Sequence, residues 1–314
     1  MALPADILQS AMHPAVTNAR ASDDYGVGSA GSWHIARSSL LLSALGMRAS
    51  KDNFATGAAT DRGRETSPFL SAAVCALSGG PVGFSDALFA TNPAVLWPTT
   101  TSNGTLLHAS RPATALDVQF SGVGALAAGD VRAAHSAING GGLGPLTFYS
   151  ILAADAAPGV VRESLVAADL WPLPTNPVPG DSPSWFMWQW NNTACVTDGA
   201  DAEDCVSIFE DPAGNTPLPA PRSSDDVAWE LWFLSPLHGG STLLGEVGKF
   251  VAVSPDRFKL VDSSGGNGLV VTLAGAPGEV VRVSWIARSD GVLGSVRASS
   301  YTLGADGTLT TLLR

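Results

Sequence analysis

Arg20 is followed at short range by Ser22, Asp23 and Asp24, and further acids stand at Asp52, in Lys51-Asp52-Asn53-Phe54, and at Asp86, after Ser85. Two carboxyls can divide acid–base work, one giving a proton while the other stabilises positive charge or attacks carbon. An arginine four residues before Asp24 can hold a carboxylate in place. Each acidic cluster follows a short segment that reads as a strand, and an apolar helix-like run separates successive clusters. That is the rhythm of βα units with acids at the strand ends, where (β/α) barrels keep their chemistry.

The elements that must position these acids are legible in order. Ala5 to Met12 reads as a short helix ended by His13-Pro14, and Ala15-Val16-Thr17-Asn18-Ala19 as a buried strand that delivers Arg20. After Trp33, the apolar stripe Ile35, Ser39, Leu42 and Leu45 predicts a helix with Gly46 at its C-cap. Arg48 to Phe54 is the next strand and loop. Ser67-Pro68 opens a second helix carrying Phe69, Leu70, Val74 and Leu77, and Gly79-Gly80 stops it. Pro81 to Phe84 predicts a third short strand, and Asn92 to Trp97 a last short helix.

From about Ala115 the pattern changes. Leu116 to Phe120, Leu146 to Ile151, Ala228 to Phe233, Lys249 to Val253, Arg257 to Val261, Leu269 to Leu273 and Val280 to Trp285 alternate or are β-branched, with turn clusters between them. Short strands without intervening helices predict an antiparallel sandwich.

Composition narrows the partners. Hydrophobic residues make up 45% of the 314 and charged residues 14%, enough for a core and too little charge for a disordered chain. The net charge of −11, with no Lys/Arg patch, excludes nucleic-acid binding through phosphates and suits neutral ligands such as sugars. The first residues lack a signal peptide's basic start and apolar core, and no apolar run spans a membrane. Cys75 lies in an apolar helical run and reads as a buried small hydrophobe, while Cys195 and Cys205 bracket a polar loop that a disulfide could close. The sequons at Asn103 and Asn191 suit a secretory route, but three-residue patterns recur by chance and assign no compartment. The five histidines show no metal spacing.

Arg20-Ala21-Ser22-Asp23-Asp24-Tyr25, Trp33-His34-Ile35, Asp52-Asn53-Phe54 and Leu77-Ser78-Gly79-Gly80-Pro81-Val82 through Ser85-Asp86 occur in one order. Asn103-Gly104-Thr105-Leu106-Leu107 and Arg111-Pro112 follow them. Together they resemble the second half of the barrel in plant-type raffinose synthases and alkaline α-galactosidases (seed imbibition proteins), of glycoside hydrolase family 36 in clan D. The resemblance covers about residues 1–115 and is loose afterwards, apart from Ser235-Pro236-Leu237.

The resemblance implies a retaining mechanism on α-galactosides or related oligosaccharides, with no cofactor and no metal. Asp24 takes the acid/base position. Arg20 would bind a sugar hydroxyl and the neighbouring carboxylate, and Asp52 would anchor Arg20 or the sugar. Asp23 is a further substrate contact and the alternative acid/base. Lys51 and Asn53-Phe54 stand where the plant pattern more often has Trp-Asp-Met-Phe, so the sugar contacts differ.

That family's nucleophile lies on an earlier strand, in a Lys-x-Asp context that has no counterpart here. The expected architecture is therefore α/β plus β: residues 1–114 as about the last three βα units of a (β/α)8 barrel, and residues 115–314 as an antiparallel β-sandwich. Such a piece would be a galactosidase or galactosyltransferase portion without its nucleophile half, inactive alone. The alternative is a non-catalytic carbohydrate-binding or structural module. Simpler roles compete at single residues: a cap or turn at Ser22-Asp23-Asp24 and at Asp86, and core packing at Trp33, Trp185, Trp188 and Trp190.

Overall fold

The computed structural model describes residues 12–13, 15–22, 24–26, 39, 42–57, 65–116, 130–154, 167–174, 185–209, 229–263, 268–289 and 292–314. The helix expected before Met12, the Trp33–His34 helix start and Asp23 lie outside them.

Three consecutive segments run parallel. β1 (Asn18–Arg20) pairs with β2 (Arg48–Ser50), and parallel bridges then join Ala49 to Gly79 and Phe54 to Phe84. Chain order is thus spatial order, as βα connections produce. Between β2 and the third segment runs α1 (Pro68–Ser78), with Pro68 in its first turn, where the missing N–H costs nothing. Gly79, at φ 79°, ends it in the left-handed region that glycine enters without strain. Every α1 residue from Leu70 to Ser78 is buried. A Cβ on Gly80 would lie 2.1 Å from the Ala49 carbonyl oxygen, so only glycine lets this segment approach β2 so closely.

Two expectations need correction here. The first strand begins at Asn18, not Ala15, and its burial alternates exposed, half-buried, exposed. It has a strand neighbour on one side only among the described residues, so little covers it. The expected third strand, Pro81 to Phe84, is reduced to the bridges at Gly79 and Phe84. The helix end at Gly46 is as read: φ is 76°, and the Met47 amide reaches back to the Leu42 carbonyl. Asn92 caps α2 (Pro93–Leu96) by accepting from the Ala94 amide.

The rest is antiparallel sheet. β3 (Arg111–Ala115), β4 (Asp130–Asn139), β5 (Pro145–Ala154), β6 (Trp185–Gln189), β7 (Val206–Phe209), β8 (Trp229–His238), β9 (Ser241–Gly245), β12 (Val280–Ser289) and β13 (Val292–Thr302) form a sheet of nine strands among the described residues. The order is β13-β12-β9-β8-β5-β4-β3, with β6 pairing β8 and β7. A smaller sheet has the order β10-β11-β14, from Phe258–Asp262, Leu269–Ala274 and Thr308–Leu313. Its Val261, Val271 and Leu313 share an apolar cluster with Val283, Trp285 and Phe148 of the large sheet, one sheet packed on another.

Period-two alternation sorts the large sheet's faces. Leu152, Phe186, Trp188, Leu231 and Phe233 join one core with the α1 side chains, while Ile151, Trp185, Met187, Trp232 and Leu234 form another with Ala167 and Leu170. Trp185 and Trp188 are buried, in agreement with core packing. Among the strands that escaped sequence reading, β4 and β13 are rich in Ala and Ser, β6, β7 and β9 are runs of only four or five residues, and β14 is a short Thr/Leu run. Conversely, Lys249 to Val253 is not a strand. It is a buried turn whose backbone bonds run to Pro98 and Glu246. Of the strand expected over Leu116–Phe120, residues 117–120 lie outside the described residues; β3, at Arg111–Ala115, ends just before it. Cys195 and Cys205 are bridged, and Cys75 is free and buried.

One buried ionic node joins the parallel part to the sheets. Arg257 donates from Nε to Glu246 Oε2 at 2.8 Å and from Nη2 to Glu279 Oε1 at 2.7 Å. Glu279 also accepts the Ser102 amide at 2.8 Å and the Ala276 amide at 3.0 Å. Nearby, Lys249 Nζ donates to the carbonyls of Trp97 and Thr100 at 2.8 and 2.6 Å. Burial alone would raise the Glu279 carboxyl, but Arg257 and the two amides hold it down at about 2. Burial does prevail at Glu246, which is raised despite Arg257.

Two outcomes follow. Gly80→Ala should cost about 1–3 kcal/mol in urea unfolding, because the added methyl must displace backbone rather than a side chain. Because the folded value of Glu279 lies below its ordinary 4.5, its contribution is complete above that pH and is lost as pH falls toward 2. Stability measured across that window should therefore fall, and Glu279→Gln should flatten the fall. Equal slopes for the two proteins would mean that Glu279 is not ionised in this node.

Candidate functional site

Arg20 ends β1 and holds two acids at once. Its Nη2 lies 2.6 Å from Asp24 Oδ1 and its Nη1 3.1 Å from Asp52 Oδ2. Asp52 stands just past β2, so the parallel pairing of the two strands brings both acids to one end. Backbone bonds then stitch the loops together. Asp52 Oδ2 accepts the Tyr25 amide at 2.8 Å, Asp52 Oδ1 accepts the Asn53 amide at 2.9 Å, and the Asp52 amide donates to Ser22 Oγ at 2.7 Å.

The two carboxylates are therefore unlike. Burial would raise Asp52, but the Tyr25 and Asn53 amides and Arg20 outweigh it and hold the carboxyl below its ordinary value. Its side chain is 22% exposed and its oxygens are taken, which makes it a fixed anion. The Asp24 side chain is 88% exposed, and among the described residues Arg20 is its one partner. A carboxyl so placed can give and take a proton with a bound molecule.

Three groups not singled out from the sequence complete the cluster. Tyr25 donates its hydroxyl to Glu65 Oε2 at 2.6 Å and accepts the Ala55 amide at 3.1 Å, while Glu65 Oε1 accepts the Ser67 amide at 3.0 Å. The buried Lys51 places its Nζ 5.2 Å from the Tyr25 ring centre and 5.4 Å from that of Phe54. Burial lowers the Lys51 pKa, against the pull of Cys75, Glu65 and Asp52. Tyr25 is detectable only by its place beside Asp24, and Glu65 lies in a polar run that has no period.

Other candidates have different roles. Asp86 accepts the amides of Thr56 and Gly57 and the Thr56 hydroxyl, so it ties its loop to one about thirty residues earlier, where the sequence context had suggested a local turn or cap. Burial pushes the Cys75 thiol up to about 12, so it is no nucleophile. Among the described residues no three His, Cys, Asp or Glu side chains are grouped to hold a metal ion, and no helix is long and apolar enough to cross a membrane. Compared with known proteins, the chain matches no family and no curated sequence.

Tyr25→Phe should leave Glu65 Oε2 and the Ala55 amide without their partner and cost about 1–3 kcal/mol. Chemical denaturation measures it. A neutral result would mean that water replaces the hydroxyl and that Tyr25 does not brace the loops.

Proposed function

We propose that this chain carries the acid/base part of an α-galactoside-processing centre, that of an α-galactosidase or a raffinose-synthase-like galactosyltransferase with a retaining two-carboxylate mechanism. The observation that carries this reading is the Arg20 guanidinium, shared between exposed Asp24 and anchored Asp52 at the ends of adjacent parallel strands. Asp24 protonates the leaving oxygen and afterwards takes a proton from water or an acceptor hydroxyl. Arg20 orients Asp24 and reaches a sugar hydroxyl. Asp52, kept anionic by its three donors, fixes Arg20. The parallel order of β1, β2 and the segment at 79–84 supports reading them as the last units of a (β/α)8 barrel, with a sandwich following. A neutral oligosaccharide also suits a chain of net charge −11.

Retention needs a second carboxylate about 5–5.5 Å from the first. Asp52 is assigned to anchoring Arg20, to which it is bound together with two backbone amides, so the nucleophile in this proposal comes from outside the cluster. This chain alone should then be silent on α-galactosides. The same shortage of a free second acid favours the alternative, a non-catalytic carbohydrate-binding or structural module.

The test separates the two. In an enzyme form active on α-galactosides, Asp24→Asn should cut turnover of raffinose by about 10²–10⁴-fold. Aryl α-galactosides with good leaving groups should lose much less in the first step, because they need no protonation. Equal loss on both substrates would remove Asp24 from the acid/base role. Sugar binding in every form, with turnover in none, would leave the module.

A further inference from the structure

A cavity of about 600 Å³ lies away from Asp24, and its walls include Ser43, Arg111, His135, Asp169 and Trp171. Ser43 belongs to the helical end that leads into the start of β2, whereas Asp24 and Asp52 follow the ends of β1 and β2. The size falls within the about 300–1,000 Å³ of small-molecule sites. Strand register builds the floor: Arg111 faces His135 across β3 and β4, and His135 faces Tyr149 across β4 and β5. The Tyr149 hydroxyl donates to the Pro172 carbonyl, which pins the loop that carries Trp171.

Trp171 is the unusual residue. Its side chain is 65% exposed although the Arg111 guanidinium lies 4.0 Å from its ring centre. The His135 ring meets it at 5.6 Å, tilted by 56°. An indole backed on one side and open on the other is a platform for a flat, weakly apolar face. Around it stand a cation, a carboxylate and an imidazole that burial keeps neutral, pushed down to about 4. Among the described residues the walls carry one cationic and one anionic side chain, which favours neither sign of charge in a ligand, and the Ser43, Ser110 and Thr114 hydroxyls add polar edges. A pyranose has this character, with a C–H face for stacking and hydroxyls around its rim.

We propose that this cavity is a second carbohydrate site, which binds a neutral oligosaccharide by stacking one ring on Trp171, with the polar side chains of the wall around its hydroxyls. The proposal rests on the sugar class proposed for the Asp24 site but not on catalysis there. It would hold a chain end or a neighbouring glycan while the strand-end site acts.

Calorimetric titration with stachyose tests it, in an Asp24→Asn background so that nothing is consumed. Saturable binding is expected, weakened about tenfold by Trp171→Ala and largely kept by Trp171→Phe. Because Trp171 is exposed, neither change threatens the fold. Binding unaltered by Trp171→Ala, no saturable binding of stachyose, or binding of inorganic phosphate in its place would each overturn the proposal. If Asp24 proves irrelevant to turnover while the Trp171 dependence persists, the strand-end reading fails and this one stands.

Discussion

A guanidinium whose side chain is 1% exposed must be paired, and Arg257 is paired with two glutamates and the Ala274 carbonyl. Removing one member of such a group costs more than the whole group contributes, since a charge is left buried alone. The consequence reaches well beyond the β-sheets. Glu279 takes the Ser102 amide, Lys249 takes two carbonyls from the stretch at 97–100, and Asp256 takes the amide and ring nitrogen of His108. The link between the parallel strands and the antiparallel sheets is therefore held by directional polar contacts as well as by apolar burial. Ionic geometry of this kind specifies one relative placement where a greasy surface would accept several.

Apolar packing supplies the continuity on which that placement rests. Leu42, Phe54, Leu70 and Leu77 share one cluster with Phe186, Leu231 and Phe233, so α1 packs directly on the large sheet. β8 is buried along its whole length because layers cover both of its faces. At the candidate site, by contrast, the exposed Asp24 is held by its ion pair with Arg20 rather than by packing.

That difference explains how much was legible beforehand. α1 was visible because Pro68, its apolar positions and Gly79 each act locally, within a turn or two. Most of the long hydrophobic strands were visible because alternation is also local. β4 and β13 were hidden because their alanines and serines carry little preference; their pairing with β5 and β12 makes them strands. Lys249 to Val253 misled for the reverse reason. Its residues are apolar because they are buried, yet Arg257, Glu246 and Pro98 claim the surrounding space and bend the backbone into a turn.

By itself, the sequence determined only the cluster's local pair. Arg20 and Asp24 are four residues apart in one loop, and their ion pair needs no distant partner. It also showed that Cys195 and Cys205 bracket a short loop that a disulfide could close. Only the tertiary structure decided which acid is exposed and which is anchored. Asp52 becomes an anchored anion because β1 and β2 pair in register and bring the Tyr25 amide and Arg20 to it across some thirty residues. The same holds for Tyr25, Lys51 and Glu65, and for Trp171 over Arg111. Each gains its role from a neighbour that the chain brings near only when strands pair, and spacing along the sequence carries no record of that distance.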